Sequence, residues 1–232
     1  MAIGSGTGTQ AAAPYAVTAG ELVAGVRLAL DDAAAAAFSD AELLDFVAEA
    51  IGEYSQHLPR VSEVVLATLA GERRYALPWD AAAVISVEYP SGDEPPSYIY
   101  RRLYRSSQFA AGNAYDVLLT RDLTDPPGLL LSFDPAAGEA LVVRYARPHA
   151  RPASAADYLT VPDDHHHVLR QYVLFAAARQ LQAREQASPT NNSSLLMGQL
   201  ASNTRRLELA WLNALNRILY QRSGEGEVVR GE

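Results

Sequence analysis

Ser39-Asp-Ala-Glu-Leu-Leu-Asp-Phe-Val-Ala-Glu-Ala-Ile-Gly-Glu-Tyr54 decides how this chain reads. Ser39 followed three residues later by Glu42 is a capping box: the hydroxyl takes an orphan backbone N–H while the carboxylate reaches back. Behind it Leu43, Phe46, Val47, Ala50, Ile51 and Tyr54 recur at helical spacing and form one apolar face. Pro59 stops the helix. Upstream the device recurs: Thr18-Ala-Gly-Glu21 opens a run with Leu22, Val23, Val26 and Leu30, which Asp31 and Asp32 end. The spacing predicts two consecutive amphipathic helices, and their apolar faces need a partner.

Past Pro59 the period switches to two. Segments 64–69, 75–77, 84–89, 98–104, 115–120, 129–133 and 141–145 read as strands, rich in Val, Ile, Leu and Tyr. The turn Ala70-Gly-Glu-Arg73 predicts a hairpin between the first two. Pro- and Gly-bearing turns at 90–96, 125–128 and 134–138 separate later ones. Many short strands with regular turns imply a small antiparallel β-sandwich or β-barrel. Helical spacing then returns. Asp163 and Asp164 suit a helix N-terminus, and Leu169, Tyr172, Val173, Ala176 and Ala177 make the core side of a third helix. After the break at 188–194, Leu196, Leu200, Leu207, Trp211, Ala214 and Ile218 line a fourth, about 39 Å long at 195–220.

The expected fold is therefore α+β: a four-helix bundle from 18–60 and 163–220, with 61–160 as an inserted β module. Residues 1–17 read as a flexible N-terminal arm and 221–232 as a polar C-terminal tail, because neither carries an apolar period. The GSGTG string in the arm lacks the lysine and preceding strand of a phosphate loop.

The chain has 232 residues, enough for a real core. No run approaches the roughly 20 apolar residues of a membrane span, and the start lacks a secretory signal. The expectation is a soluble, cytosolically made protein. Cysteine is absent, which excludes disulfides and thiolate metal sites. A net charge of −8 argues against wrapping nucleic acid. All 19 basic side chains are arginine, a pattern that fits a GC-rich coding bias.

Catalytic chemistry finds no support. His165, His166 and His167 are consecutive, so on a helix they point about 100° apart and cannot converge on one ion; a solvated first turn accounts for them. His57 and His149 stand alone beside prolines. No cofactor and no metal is implied. Two patterns suggest surfaces instead. Glu42, Asp45, Glu49 and Glu53 recur at three, four and four, an acidic stripe away from the apolar face of the second helix; it reads as a solvated side or as a wall that repels a passing polyanion. Tyr98-Ile-Tyr-Arg-Arg-Leu-Tyr-Arg105 puts Tyr98, Tyr100, Arg102 and Tyr104 on one strand face, with Arg101 and Arg105 on the other. Tyr and Arg together favour a protein interface over nucleic acid here.

Three passages resemble the head–tail adaptor (connector) proteins of tailed bacteriophages, including the tail-tubular type of short-tailed phages. They are Phe38-Ser-Asp-Ala-Glu-Leu-Leu44 after a first helix; Tyr75-Ala-Leu-Pro-Trp-Asp80; and Leu130-Leu-Leu-Ser-Phe-Asp-Pro-Ala-Ala-Gly138 followed by 141–148 and Leu159-Thr-Val-Pro162, which resembles the family's last hairpin and its return to helices. The likeness runs from Thr18 to Tyr220 and transfers no catalytic residue. It implies a structural virion protein at the neck, in a ring of twelve copies beneath the portal. Genomic DNA would pass through the lumen, and tail or nozzle proteins would bind below. The tail, with Gln221, Arg222, Val228, Val229 and Arg230, would dock on the portal. If the second helix faces the lumen, its acidic stripe would repel the passing DNA; an outward solvated face explains the same spacing. Another neck or tail-completion protein, or a virion-associated cell-wall hydrolase, are the alternatives.

Overall fold

The structure, a computed structural model, describes residues 17–32, 34–92, 94–101, 114–118, 126–187 and 193–228. It is α+β, with four helices and seven strands among those residues. The chain divides into two compact units. One joins the chain up to Leu58 with the chain from His149 onward; the other is the continuous stretch Pro59–Pro148.

The helical unit holds α1 (Ala19–Leu30), α2 (Asp40–His57), α3 (His166–Ala187) and α4 (Ser193–Val228), with a 3-10 turn at Asp163–His165 leading into α3. Both capping boxes form. The Glu21 N–H donates to the Thr18 hydroxyl at 3.2 Å and the Thr18 N–H to the Glu21 carboxylate at 2.7 Å. Ser39 and Glu42 repeat this at 3.2 and 2.8 Å. Asp31 closes α1 in the left-handed region, φ 55°, which a short polar side chain tolerates. The first turn of α1 also leans on the returning chain: the Ala19 N–H donates to Asp157 O at 2.9 Å and the Gly20 N–H to Ala155 O at 2.8 Å. Residues 149–160, expected in the β module, thus run along the helices. Val17, expected in the arm, accepts from the Leu159 N–H at 3.0 Å. Residues 1–16 lie outside the described residues.

Helix α3 touches α1, α2 and α4. The predicted core face is buried at Leu169, Tyr172, Val173, Ala176 and Ala177, and it meets Phe38, Leu43, Val47 and Ile51 in one core. Trp211 of α4 is only half-buried; its ring sits edge-on to Tyr172, centroids 5.0 Å apart, and stacks on Phe175. The expected end of this helix at Tyr220 is wrong. α4 continues to Val228, about 54 Å in all, so most of the expected tail is helix and only 229–232 fall outside the described residues. Gly224 and Gly226 each cost about 1 kcal/mol in a helix, but no proline or capping motif ends it.

The β unit contains β1 (Arg60–Ala67), β2 (Arg74–Ala76), β3 (Ala83–Glu88), β4 (Tyr98–Arg101), β5 (Ala114–Leu118), β6 (Gly128–Leu131) and β7 (Ala140–Arg147). They form one sheet in the order β1-β7-β3-β4-β5-β6-β2. Two expectations fail on this order. The predicted β1–β2 hairpin does not exist: β1 pairs with β7 from Arg60↔Arg147 to Ala67↔Ala140, and β2 pairs with β6. The last hairpin implied by resemblance is absent too, since β6 pairs with β5 and β2 while β7 pairs with β1 and β3. The connection from β1 to β2 and that from β6 to β7 are arches between opposite ends of the sheet. Pairing is antiparallel except for β4 with β5, which is parallel, and among the described residues the sheet does not close into a barrel. Inward side chains from both ends, among them Leu141, Val143, Leu129, Leu131, Val87 and Tyr115, share one core.

Candidate interaction surfaces

The loop between α1 and α2 is built around one buried carboxylate. Asp32 Oδ1 accepts from the N–H groups of Ala36 and Ala37 at 2.8 and 3.0 Å, and Oδ2 accepts from the Phe38 N–H at 3.1 Å. The Ala37 N–H, with those of Phe38 and Ala36 and the Arg27 guanidinium, holds the Asp32 carboxyl below its ordinary 3.8 against the opposing pull of burial. Arg27 Nη1 donates to Asp32 at 3.1 Å, and its Nη2 donates to Asp40 at 2.6 Å and to Phe38 O at 2.9 Å. From α3, Arg184 donates to Ala37 O at 2.6 Å, pairs with Glu42, and lies 5.0 Å over the Phe38 ring. The Phe38-Ser-Asp-Ala-Glu-Leu-Leu44 motif is therefore a structural staple. Phe38 and Leu43 are core, Ser39 caps, Asp40 binds Arg27, and Glu42 caps and meets α3. The Ser39 N–H is the main reason the Glu42 carboxyl sits below its usual range, with Arg184 a lesser one.

His149, without a partner in the sequence reading, is clasped. It is 6% exposed. Its Nδ1 lies 2.8 Å from Thr160 O and 3.2 Å from the Thr160 hydroxyl, and its Nε2 lies 3.1 Å from Leu58 O. The His149 N–H donates to the Ser55 hydroxyl at 3.0 Å, and the ring packs on Tyr54. This joins the end of α2 to the returning connector. The histidine triplet also differs from expectation. Its rings diverge, but His165 and His166 are largely shielded rather than solvated: His165 Nδ1 is 2.5 Å from the Tyr54 hydroxyl and His166 Nε2 is 3.0 Å from Val161 O. No group of three potential metal ligands gathers among the described residues.

The acidic stripe of α2 is not a free wall. Glu49 accepts from the Tyr172 hydroxyl at 2.8 Å and pairs with Arg179 at 3.1 Å, while Glu42 pairs with Arg184. Burial, then the Glu49 carboxylate, raises the Tyr172 hydroxyl well above 10. Asp45 is exposed and Glu53 half-exposed. The stripe flanks the core rather than opposing it, so α3 meets it with arginines. In the Tyr–Arg stretch Tyr98 is exposed and Ile99 buried, as alternation predicts, but Arg101, on the face of Ile99, is exposed at the end of β4. Tyr100 lies in β4, and Arg102, Tyr104 and Arg105 lie outside the described residues. Of the tail set, Gln221 is exposed on α4, Arg222 and Val228 belong to the same helix, and Val229 and Arg230 lie outside the described residues.

Two surfaces escaped the sequence reading. The outer face of the sheet carries exposed Val61 and Val65 on the edge strand β1 and Ile85 at the β3 bulge, beside the Tyr98 already singled out. Leu209, Leu212 and Tyr220 are exposed on α4. Their signal is the second set of apolar residues on that helix, at 209, 212 and 220. The longer core stripe masked it. No described helix is long and apolar enough to cross a membrane.

Residues 17–225 match the family model described as SU10 adaptor protein, which agrees with the adaptor resemblance of the sequence motifs. No curated protein matches the chain.

Proposed function

We propose a function from one premise: the chain belongs to the SU10 adaptor protein family. It is a structural protein of the tailed-phage neck that joins the capsid portal to the tail. Twelve copies form a ring beneath the portal, and genomic DNA passes through the lumen without specific binding. The helical unit, read as a bundle, builds the ring wall, and the β unit, read as a sandwich, offers Tyr98, Tyr100 and the following arginines to tail or nozzle proteins. The C-terminal end of α4 and residues 229–232 dock on the portal.

The observation that carries this reading is the extent of the family match, which spans both units. The geometry supports a binding role over a catalytic one: the buried polar groups of the helical unit are engaged in holding loops and connectors in place. Purified protein mixed with its purified portal and imaged as single particles is expected to give a twelvefold ring seated on the portal. Bare portal particles, with this chain left in the monomer fraction, would overturn it. Deleting 221–232 should leave the fold intact, with the helical circular dichroism signal reduced only by the last turns of α4, and should weaken portal binding.

A further inference from the structure

We propose that the outward face of α4 in one copy docks, head to tail, on the acidic α1–α2 layer of a second copy. The inference rests on the ring reading above and names its contact. Residues 209, 212, 213, 216 and 220 share one side of α4, opposite the buried Leu215 and Ile218. On that side Leu209 is 48% exposed, Leu212 37% and Tyr220 78%. Asn213, Asn216, Arg217, Tyr220 and Gln221 line a shallow concavity there. A leucine pair and a tyrosine on the solvent side of a helix whose other side is packed mark an interaction surface.

Charge selects the occupant. Between 197 and 221 the helix carries Arg205, Arg206 and Arg217 against the single acid Glu208. Residues 18–58 carry eight carboxylates against Arg27 alone. Arg179 and Arg184 from α3 answer two more of them, which leaves five in excess. Asp45 and Glu53 are the members of that layer on α2 that have solvent access and no arginine paired to them among the described residues. The two helical surfaces are thus opposite in sign on one molecule. A two-fold pairing of α4 with α4 would bring arginines against arginines, which costs affinity. A head-to-tail contact between different surfaces instead matches basic to acidic and propagates to a closed ring when the rotation allows.

The test is sedimentation of the full-length protein. One variant reverses the basic side (Arg205→Glu, Arg206→Glu and Arg217→Glu), another the acidic side (Asp45→Arg and Glu53→Arg), and a third carries all five changes. Each set alone should weaken self-association about tenfold or more, with helical content unchanged, and the fivefold variant should return to within about threefold of the original protein. If both single sets leave a protein that assembles normally, or if the combined variant is no better than either set, the proposed contact is wrong while the ring reading stands. A symmetric dimer lost with the basic set alone would point to α4 against α4 and also overturn the proposal. An original protein that stays monomeric, alone and with portal, overturns the ring reading and this inference with it.

Discussion

In the helical unit the Asp32 loop and the His149 clasp are shielded from water, although Arg179–Glu49 and Arg184–Glu42 lie open there; in the β unit all the ion pairs among the described residues lie open. Arg27 and Asp32 leave 11% and 6% of their side chains exposed, while Arg73 and Asp134 leave 50% and 61%. Arg144–Glu63 and Arg147–Asp80 resemble the latter pair. An exposed pair is screened and must immobilise two long side chains, whereas a shielded carboxylate gathering three N–H groups leaves orphaned donors if it is lost. The difference follows from connectivity. The β unit is one continuous stretch ordered by strand register. The helical unit is made of two stretches, and loops and connectors must be pinned by side chains. Arg184 on Ala37 and His149 on Leu58 do that pinning.

The largest effects should ignore this contrast. Leu43→Ala in the helical unit and Leu129→Ala in the β unit each empty a fully buried site. Each should cost about 2–5 kcal/mol by denaturant titration. A large disparity would mean that one core is looser than the other. His149→Ala comes next, at roughly 2–3 kcal/mol, because a backbone carbonyl at Leu58 or Thr160 loses its imidazole donor and the buried ring leaves a void. A cost below about 0.5 kcal/mol would show that water replaces the ring without penalty.

Asp32→Asn should lower the melting temperature at neutral pH, since a neutral amide replaces the carboxylate acceptor. The pH dependence has a definite sign. The folded pKa of Asp32 lies below 3.8, so its contribution is present above that value and lost as pH falls toward the folded pKa. The difference between variant and original should shrink below pH 4; a constant difference down to strong acid would refute the assignment. Arg144→Ala, which removes an exposed pair in the β unit, should leave the melting temperature nearly unchanged; a large drop would erase the comparison.

The smallest effect on the helices is expected from the largest deletion. The His149 N–H already meets Ser55, and its ring meets Leu58. A short Gly-Ser link in place of 59–148 should therefore keep the helical signal and a cooperative melt. Loss of both would show that the helical stretches need the β unit to fold.

Legibility followed the range of the interactions. Helices α1 and α2 were readable to their caps, because a capping box acts over three residues. All seven strands were readable as well, since period-two patterning is local. Their partners were not: the Ala70-Gly71 turn suits a hairpin or an arch, and only the core shared by Leu141, Leu129 and Tyr75 selects the arch. His149 looked solitary because its partners Leu58 and Thr160 are far away in sequence or, being backbone carbonyls, carry no residue signature. The acidic stripe was visible, but not the arginines of α3 that meet it, more than 120 residues downstream.

By itself, then, the sequence determined the order of helices and strands, though not that the fourth helix runs on to Val228, where the first two helices begin, and the motifs that place the chain in its family. Caps, turns and periodicity act within a few residues, so they are written locally. Tertiary structure decided strand order, the clasp of His149, the pairing of Glu42 and Glu49, and which apolar residues of α4 remain outside. Each of those depends on groups brought together by burying a common core, and burial of apolar area is non-directional. It rewards any arrangement that hides the same surface, and only the packed chain selects one.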